Sequence, residues 1–198
     1  MLETRLTLAC SEFILGGQKS GKSRRAETLA RDWLAQSPDH RAVLIATAQP
    51  WDEEMRQRIA RHQADRAERV PGMRTVEEPL ALAEKITELS RPDTLLVVDC
   101  LTLWLTNWMM PMAQDVEPNR PAAAVDQAQA ATLLIAIALA PGPIVLVGNE
   151  IGLGVIPMGS EVRAFVDALG RLNQNVARVC QRVTLMAAGL PLSLKDAT

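Results

Sequence analysis

Tyrosine is absent from this 198-residue chain, and phenylalanine and histidine occur only twice each. With four tryptophans as the main aromatic stock, there is little from which to build a stacking platform for single-stranded nucleic acid. Charge of one sign is lacking as well. The formal net charge is −2, which argues against nucleic acid or an anionic membrane surface as a partner. Cysteine is sparse: Cys10, Cys100 and Cys180 are odd in number, far apart and without a C-x-x-C pair, so neither a disulfide framework nor a zinc site is indicated. They are expected to be reduced core thiols of a cytoplasmic protein. Long apolar runs are also missing. The most apolar stretch, Ala130 to Gly148, is cut by Pro141-Gly142-Pro143 into pieces too short to span a bilayer, and Met1 to Cys10 holds too little apolar sequence for a signal peptide. The length and a hydrophobic content of 48% suit one α/β domain over residues 1–198.

What the sequence does have is a glycine-rich stretch, Gly16-Gly17-Gln18-Lys19-Ser20-Gly21-Lys22-Ser23. It fits G-x-x-x-x-G-K-[ST], preceded by an apolar run and followed by a helical pattern, the context in which that motif binds phosphate. Backbone N–H groups of such a loop point at phosphate oxygens. Lys22 is placed to reach the β- and γ-phosphates and Ser23 to meet a magnesium ion.

Downstream, Arg24 to Gln36 carries Ala26, Leu29, Ala30 and Trp33 at helical spacing. Ala42 to Ala46 reads as a buried strand and Thr47-Ala48-Gln49-Pro50 as its carboxyl-end turn, where open α/β sheets bind ligands. Asp52 to Arg66 predicts a charged helix with Met55, Ile59 and His62 on one stripe. Arg74 to Glu77 is a short strand and Leu80 to Leu89 a helix. Leu95-Leu96-Val97-Val98-Asp99 is an apolar strand ending in a carboxylate, which next to a phosphate loop suits a metal-side role for Asp99. Leu101 to Met110 holds Trp104 and Trp108 at i, i+4, suited to core or subunit contact. Gln114 to Pro121 is polar and reads as a mobile surface loop. Val125 to Ala140 is a helix, Pro143 to Val147 a strand leading to the glycine-bearing turn Gly148 to Gly154, Glu161 to Val179 a helix, and Val183 to Ala187 a last strand before a short tail. Uniformly apolar strands alternating with helices predict an α/β fold of the P-loop NTPase-like kind, a mostly parallel sheet covered on both faces. Lys22, Thr47, Asp99 and Glu150 then share one rim.

Of the two histidines, His40 sits in a turn and reads as a surface residue. His62 stands among Arg58, Arg61, Arg66 and Arg69. By the residues alone it is either one position of an amphipathic helix or a nucleophile toward phosphorus, since a neutral imidazole is competent for that attack and nearby guanidinium groups offset charge on phosphate oxygens.

The set I-L-G-G-Q-K-S-G-K-S at 14–23, I-A-T-A-Q at 45–49, D-E-E-M-R-Q-R-I-A-R-H at 52–62, V-D-C-L-T-L-W-L-T-N at 98–107, N-E-I-G-L-G-V-I-P at 149–157 and G-R-L-N-Q at 170–174 resembles the bifunctional adenosylcobinamide kinase/adenosylcobinamide-phosphate guanylyltransferase family of cobalamin biosynthesis. The resemblance implies a two-step enzyme that phosphorylates adenosylcobinamide with ATP or GTP and then transfers GMP from GTP through a guanylyl-histidine. His62 occupies that histidine's place, and Lys22 serves the phosphates. The same matching implies nucleotide contacts at Gly16 to Ser23, at Ala46, Thr47 and Ala48, at Gln63, Ala64, Asp65 and Arg66, at Glu77 and at Asp99, with Ser23 and Asp99 beside Mg2+. It also implies a homotrimer, with the Leu101 to Met110 and Glu161 to Val179 segments as candidate contacts. Without the resemblance, a kinase of another small metabolite, or a nucleotide-binding module without transfer chemistry, remains open.

Overall fold

The computed structural model describes residues 8–110 and 122–196, with side chains of the second stretch from residue 127 onward. In chain order the elements are β1 (Ser11–Gly16), α1 (Lys22–Leu34), β2 (Arg41–Ala46), α2 (Glu53–Arg69), β3 (Arg74–Glu77), α3 (Leu82–Leu89), β4 (Thr94–Asp99), α4 (Leu101–Met109), α5 (Ala122–Ala138), β5 (Ile144–Val147), α6 (Ser160–Val179), β6 (Arg182–Ala187) and β7 (Leu190–Asp196). The strands form one sheet in the order β3-β2-β4-β5-β1-β6-β7, parallel except for the antiparallel β6–β7 pair. Its central strands β1, β4 and β5 are buried over nearly all their length, which is why they read as continuous apolar runs rather than as an alternation.

Alternate residues of these strands feed two cores. Ile14, Leu44, Leu95, Val97, Val145 and Val147 pack with Ala26, Leu29 and Ala30 of α1. Phe13, Ile45, Val98 and Leu146 face the other way, against side chains of α3, α4, α5 and α6. Strand registers bring the carboxyl ends level: Ala46 lies opposite both Glu77 and Asp99, and Asp99 opposite Val147. That level is the rim on which the polar turns fall.

Several expectations shift. The second helix runs three residues beyond Arg66, to Arg69, because Arg66 and Arg69 supply the cations that suit a helix's last turn. Strand β6 is not the last. Ala188 and Gly189, at φ 51 and φ 80, form the two-residue turn with positive φ at both positions that joins antiparallel strands, and the expected tail is β7. Pro191, which reads as a breaker, sits on an edge strand where its missing N–H is tolerated. Lys195 of β7 closes the fold by donating to the carbonyls of Ala177, Arg178 and Cys180 at 3.0, 2.9 and 2.6 Å, capping the C-terminus of α6.

Cys10 is exposed, whereas Cys100 and Cys180 are buried and burial pushes both thiols up to about 12, which leaves them inert. His40 is half-buried, stacked on Trp33 with ring centroids 3.6 Å apart. The Gln114 to Pro121 segment lies outside the described residues. Leu101, Trp104 and Leu105 of α4, like Leu169, Leu172 and Val176 of α6, are core residues, so the apolar faces of those two helices are turned inward. Met110, Val162 and Val179 of those two segments are nevertheless exposed, and further exposed apolar residues include Leu153, Val155, Ile156 and Met158 after β5 and Leu190, Leu192 and Leu194 on the edge strand.

Candidate functional site

The phosphate loop is built by residues that no other side chain could replace at two points. Gly16 leaves β1 at φ 151, and a Cβ there would fall 2.4 Å from the Met186 carbonyl oxygen and 2.6 Å from Ser20 Oγ. Gly21 sits at φ 101 as the N-cap of α1 with no side-chain cap, so the first-turn N–H groups are left for an anion. The Ser20 N–H donates to the Gly17 carbonyl at 3.3 Å, and the Gly189 N–H donates to the Ser20 carbonyl at 3.0 Å. The β6–β7 turn therefore braces the loop from behind.

Lys22, only 8% exposed, donates from Nζ to the Gly17 carbonyl oxygen at 2.6 Å. Among the described residues it has no ion pair. Desolvation lowers its pKa below the ordinary 10.5, with Arg58 pushing the same way and Cys100 and Asp99 opposing. A partly desolvated ammonium curled onto its own loop is what a phosphate would draw out. Ser23 Oγ donates to Asp99 Oδ2 at 2.9 Å, which joins the loop to the end of β4. Ser20 Oγ is buried without a partner.

Beside this centre, Ala46 ends β2 between Glu77 and Asp99, with Glu77 exposed and Ala48 half-buried. Thr47 is fully buried. Its hydroxyl donates to the Cys100 carbonyl at 2.7 Å and accepts from the Cys100 N–H at 2.9 Å, and its N–H donates to the Asp99 carbonyl at 3.2 Å, so Thr47 latches β2 to β4 and faces the protein rather than a ligand. Asn173 of α6 donates to the Asn149 carbonyl at 3.1 Å, and Glu150 accepts from the Gly152 N–H at 3.0 Å. These bonds shape the turn after β5. A cavity of about 390 Å³ lies between the phosphate loop and the β6–β7 turn, with Glu150 and Leu153 on its wall. A larger one, about 530 Å³, lies between α3 and α5 and contains none of the expected site residues.

The histidine is carried differently. Asp52 caps α2 by accepting from the Met55 N–H at 2.7 Å, and Glu53 and Glu54 suit the first turn. Over seventeen residues only Arg66 is buried; His62, Gln63, Ala64 and Asp65 are exposed. Arg58, His62 and Arg66 share a face by their spacing of four. Arg58 adds a small repulsion to the Lys22 ammonium. Arg66 is 8% exposed and has no hydrogen-bonded or ion-paired side-chain partner among the described residues. The helix is tied down near its end, where Arg69 donates to Glu27 of α1 at 3.0 Å and to Asp65 at 3.1 Å.

Gly16 to Ser23, Ala46, Glu77 and Asp99 are thus gathered on one rim, while His62 and Gln63 to Arg66 lie on α2, a separate arm tied to α1 through Arg69 and Glu27. Sequence reasoning missed the bracing turn at Ala188-Gly189 and the inward commitment of Thr47. The first had a readable signal in a glycine flanked by two short apolar runs; the second had none, because a threonine after a strand looks the same whether it faces ligand or core.

A glycine loop feeding a helix, a basic residue folded onto it and a serine paired with a strand-end aspartate define a phosphate-loop nucleotide-binding protein. The chain belongs to the cobinamide kinase / cobinamide phosphate guanyltransferase family, whose profile matches residues 12–194. It is 47% identical over 186 residues to a bifunctional adenosylcobalamin biosynthesis protein, CobP, of Pseudomonas aeruginosa, covering 93% of this chain and 96% of that one. It is 34% identical over 187 residues to the bifunctional adenosylcobalamin biosynthesis protein CobU of Escherichia coli, covering 92% and 98%. Among solved structures, the flagellar accessory protein FlaH of Methanocaldococcus jannaschii shares the fold at a TM-score of 0.51 and 13% identity, over 96% of this chain and 80% of that one. Among the described residues no helix is long and apolar enough to cross a membrane.

Proposed function

We propose that this protein phosphorylates adenosylcobinamide and then converts the product to adenosylcobinamide-GDP, using one phosphate loop as a single domain and His62 as the nucleophile of the second step. The observation that carries the reading is the pairing of a complete phosphate loop with an arginine-flanked histidine on the adjoining arm. In the kinase step the aminopropanol hydroxyl of adenosylcobinamide attacks the γ-phosphorus of ATP or GTP and gives up its proton to solvent; its O–P bond forms, the bond from the γ-phosphorus to the β–γ bridging oxygen breaks, and the nucleoside diphosphate leaves with the electron pair. Lys22 leaves Gly17 to follow the charge on the β- and γ-phosphates, and the first-turn N–H groups of α1 hold the rest.

In the second step a neutral His62 ring nitrogen attacks the α-phosphorus of GTP. The bond to the bridging oxygen breaks and pyrophosphate leaves with the electron pair. A phosphate oxygen of adenosylcobinamide phosphate then attacks the same phosphorus, and the P–N bond breaks, returning its electrons to the imidazole. Splitting the transfer in two replaces one difficult displacement by two easier ones. Arg58 and Arg66, one turn to either side, would offset phosphate charge, while Gln63, Ala64, Asp65, Glu77, Ala46 and Ala48 would contact the guanine nucleotide, with the buried Thr47 holding that turn in place.

Magnesium fits this donor set. Ser23 Oγ and Asp99 Oδ2, 2.9 Å apart, offer hard oxygens, and no cluster of three or more His, Cys, Asp or Glu exists among the described residues, as suits an ion held by one or two protein oxygens together with phosphates. When bound with nucleotide it neutralises charge on the transferring group. A trimer, implied by the family resemblance, would cover the exposed Leu153, Val155, Ile156 and Met158; sedimentation velocity checks it.

The test is GTP labelled at the α-phosphorus. The parent protein should retain acid-labile, base-stable label after denaturation and His62→Ala none, while γ-phosphate transfer to adenosylcobinamide persists in both. An unlabelled parent with intact γ-transfer would reduce the protein to a kinase.

A further inference from the structure

Helix α4 starts directly after Asp99 and Cys100, and its polar side chains reach the backbone of three different rim turns. Thr102 Oγ1 accepts from the Asn149 N–H at 2.9 Å. Trp104 Nε1 and Trp108 Nε1 both donate to the Leu80 carbonyl, at 2.9 and 3.3 Å. Asn107, 5% exposed, donates from Nδ2 to the Thr47 carbonyl at 2.8 Å and to the Pro79 carbonyl at 3.0 Å. One amide nitrogen, with two hydrogens, therefore bridges two chain segments that have no sequence proximity to each other.

Those two carbonyls bracket the histidine arm. Thr47 is the last residue latched to the sheet before the chain leaves for α2, and Pro79 lies two residues beyond β3, where the returning chain is paired with β2 and the Glu78 N–H donates to the Ala46 carbonyl at 2.9 Å; Asn107 ties both segments to α4. Because α2 buries only Arg66, its placement depends on how its ends are held. Asn107 Oδ1 is itself buried without a partner, a state that costs stability. An apolar side chain of the same shape would avoid that cost, so the two donors are what the position supplies.

We propose that Asn107 is a positioning residue for the guanylyl-transfer half-reaction: by bridging Thr47 and Pro79 it fixes the entry and return of the His62 arm relative to the phosphate loop. It touches no substrate and acts through the arm. The inference rests on His62 being the nucleophile. The kinase half depends instead on β1, α1 and β4, whose contacts to one another do not pass through Asn107.

The experiment compares the parent with Asn107→Leu, which keeps volume and removes the donors, and Asn107→Ser, which retains one short donor. Three quantities are read: the single-turnover rate of α-label appearing on His62 at saturating GTP, the γ-phosphoryl transfer rate to adenosylcobinamide, and amide hydrogen exchange of residues 47–52 and 77–81. A misplacement of about 1 Å costs on the order of 100-fold in rate, so Asn107→Leu should slow histidine labelling roughly 10- to 100-fold and leave γ-transfer and the KM for GTP within about twofold. Exchange in the two tethered segments should rise. Asn107→Ser should recover part of the labelling rate. A loss shared equally by both half-reactions would overturn the proposal and mark a general stability role, since a smaller folded fraction scales both alike. Unchanged labelling in Asn107→Leu would overturn it as well. Absence of label on the parent would instead sink the His62 reading, and needs no variant to be seen.

Discussion

Between Gly16 and Ser23 the backbone is enforced from several sides: a carbonyl of β6 lies against Gly16, the Gly189 N–H holds Ser20, and Asp99 holds Ser23. Over the seventeen residues of α2, by contrast, one side chain is buried and one arginine ties the helix to α1. Both regions are proposed to act on the same nucleotide. The difference follows their tasks. Phosphoryl transfer is mostly positioning and charge neutralisation, which a rigid cradle supplies. A nucleophile that must reach the α-phosphorus in one reaction and stand clear in another belongs on an element with few packing contacts, where opening is inexpensive in free energy.

The largest expected effect breaks the common part. Lys22→Met should lower both half-reactions by about 10³-fold, roughly 4 kcal/mol in the transition state. The melting temperature of the nucleotide-free protein should not fall, because the substitution removes a desolvated cation whose only bond is to an exposed loop carbonyl. Differential scanning fluorimetry and the two partial assays check this. A melting temperature several degrees lower would mean that Lys22 holds the loop together rather than waiting for phosphate.

Next in size is a direct comparison of the two regions' rigidity. Gly16→Ala places a Cβ 2.4 Å from a backbone oxygen at φ 151, an overlap relieved only by moving β6 or the loop. It should destabilise the protein by about 3 kcal/mol, at the upper end for single substitutions. Ile59→Ala on α2, at a half-buried position, should cost under about 1 kcal/mol. Urea titrations that gave the two variants equal midpoints would erase the contrast between cradle and arm.

A smaller effect sharpens it. Arg69→Ala removes the tie to Glu27, whose side chain is 6% exposed, and leaves that carboxylate desolvated. Stability should drop by about 1–3 kcal/mol. Hydrogen exchange over α2 should accelerate more than over α1. Equal acceleration in both helices would show that the pair serves α1 rather than the arm.

How much of this was legible depends on whether the signal was local. The phosphate loop is a contiguous pattern with glycines at positions of positive φ, and the buried strands announce themselves as unbroken apolar runs, so the loop, the six-strand parallel part of the sheet and the rim followed directly. Asp99 was legible because a carboxylate ended such a run. What escaped was tertiary. The turn at Ala188-Gly189 braces a loop about 170 residues earlier, Thr47 faces Cys100 rather than the rim, and Asn107 joins two distant carbonyls. Nothing in a window of sequence distinguishes such residues from solvated ones. His62 is the intermediate case: its helix and the row it forms with Arg58 and Arg66 were readable from spacing, but its role came only from the family resemblance.

The smallest effect concerns protons. Burial lowers the Lys22 pKa in the free protein from 10.5, so the free loop loses its proton at a lower pH than an ordinary lysine does. Bound phosphate favours the ammonium form, which raises the value again. Between the two, binding takes up a proton and affinity falls as pH rises, up to tenfold per pH unit for this one group. For folding the sign is the reverse of a stabilising lysine pair. The unfolded chain binds the proton more tightly, so the charged Lys22 subtracts stability at neutral pH, and this deficit is relieved as pH rises through the folded value toward 10.5. Calorimetry of a non-hydrolysable GTP analogue on the alkaline side, in buffers of different ionisation enthalpy, should register proton uptake in the parent and none in Lys22→Arg, which stays charged throughout. Equal uptake in both would assign the proton to another group.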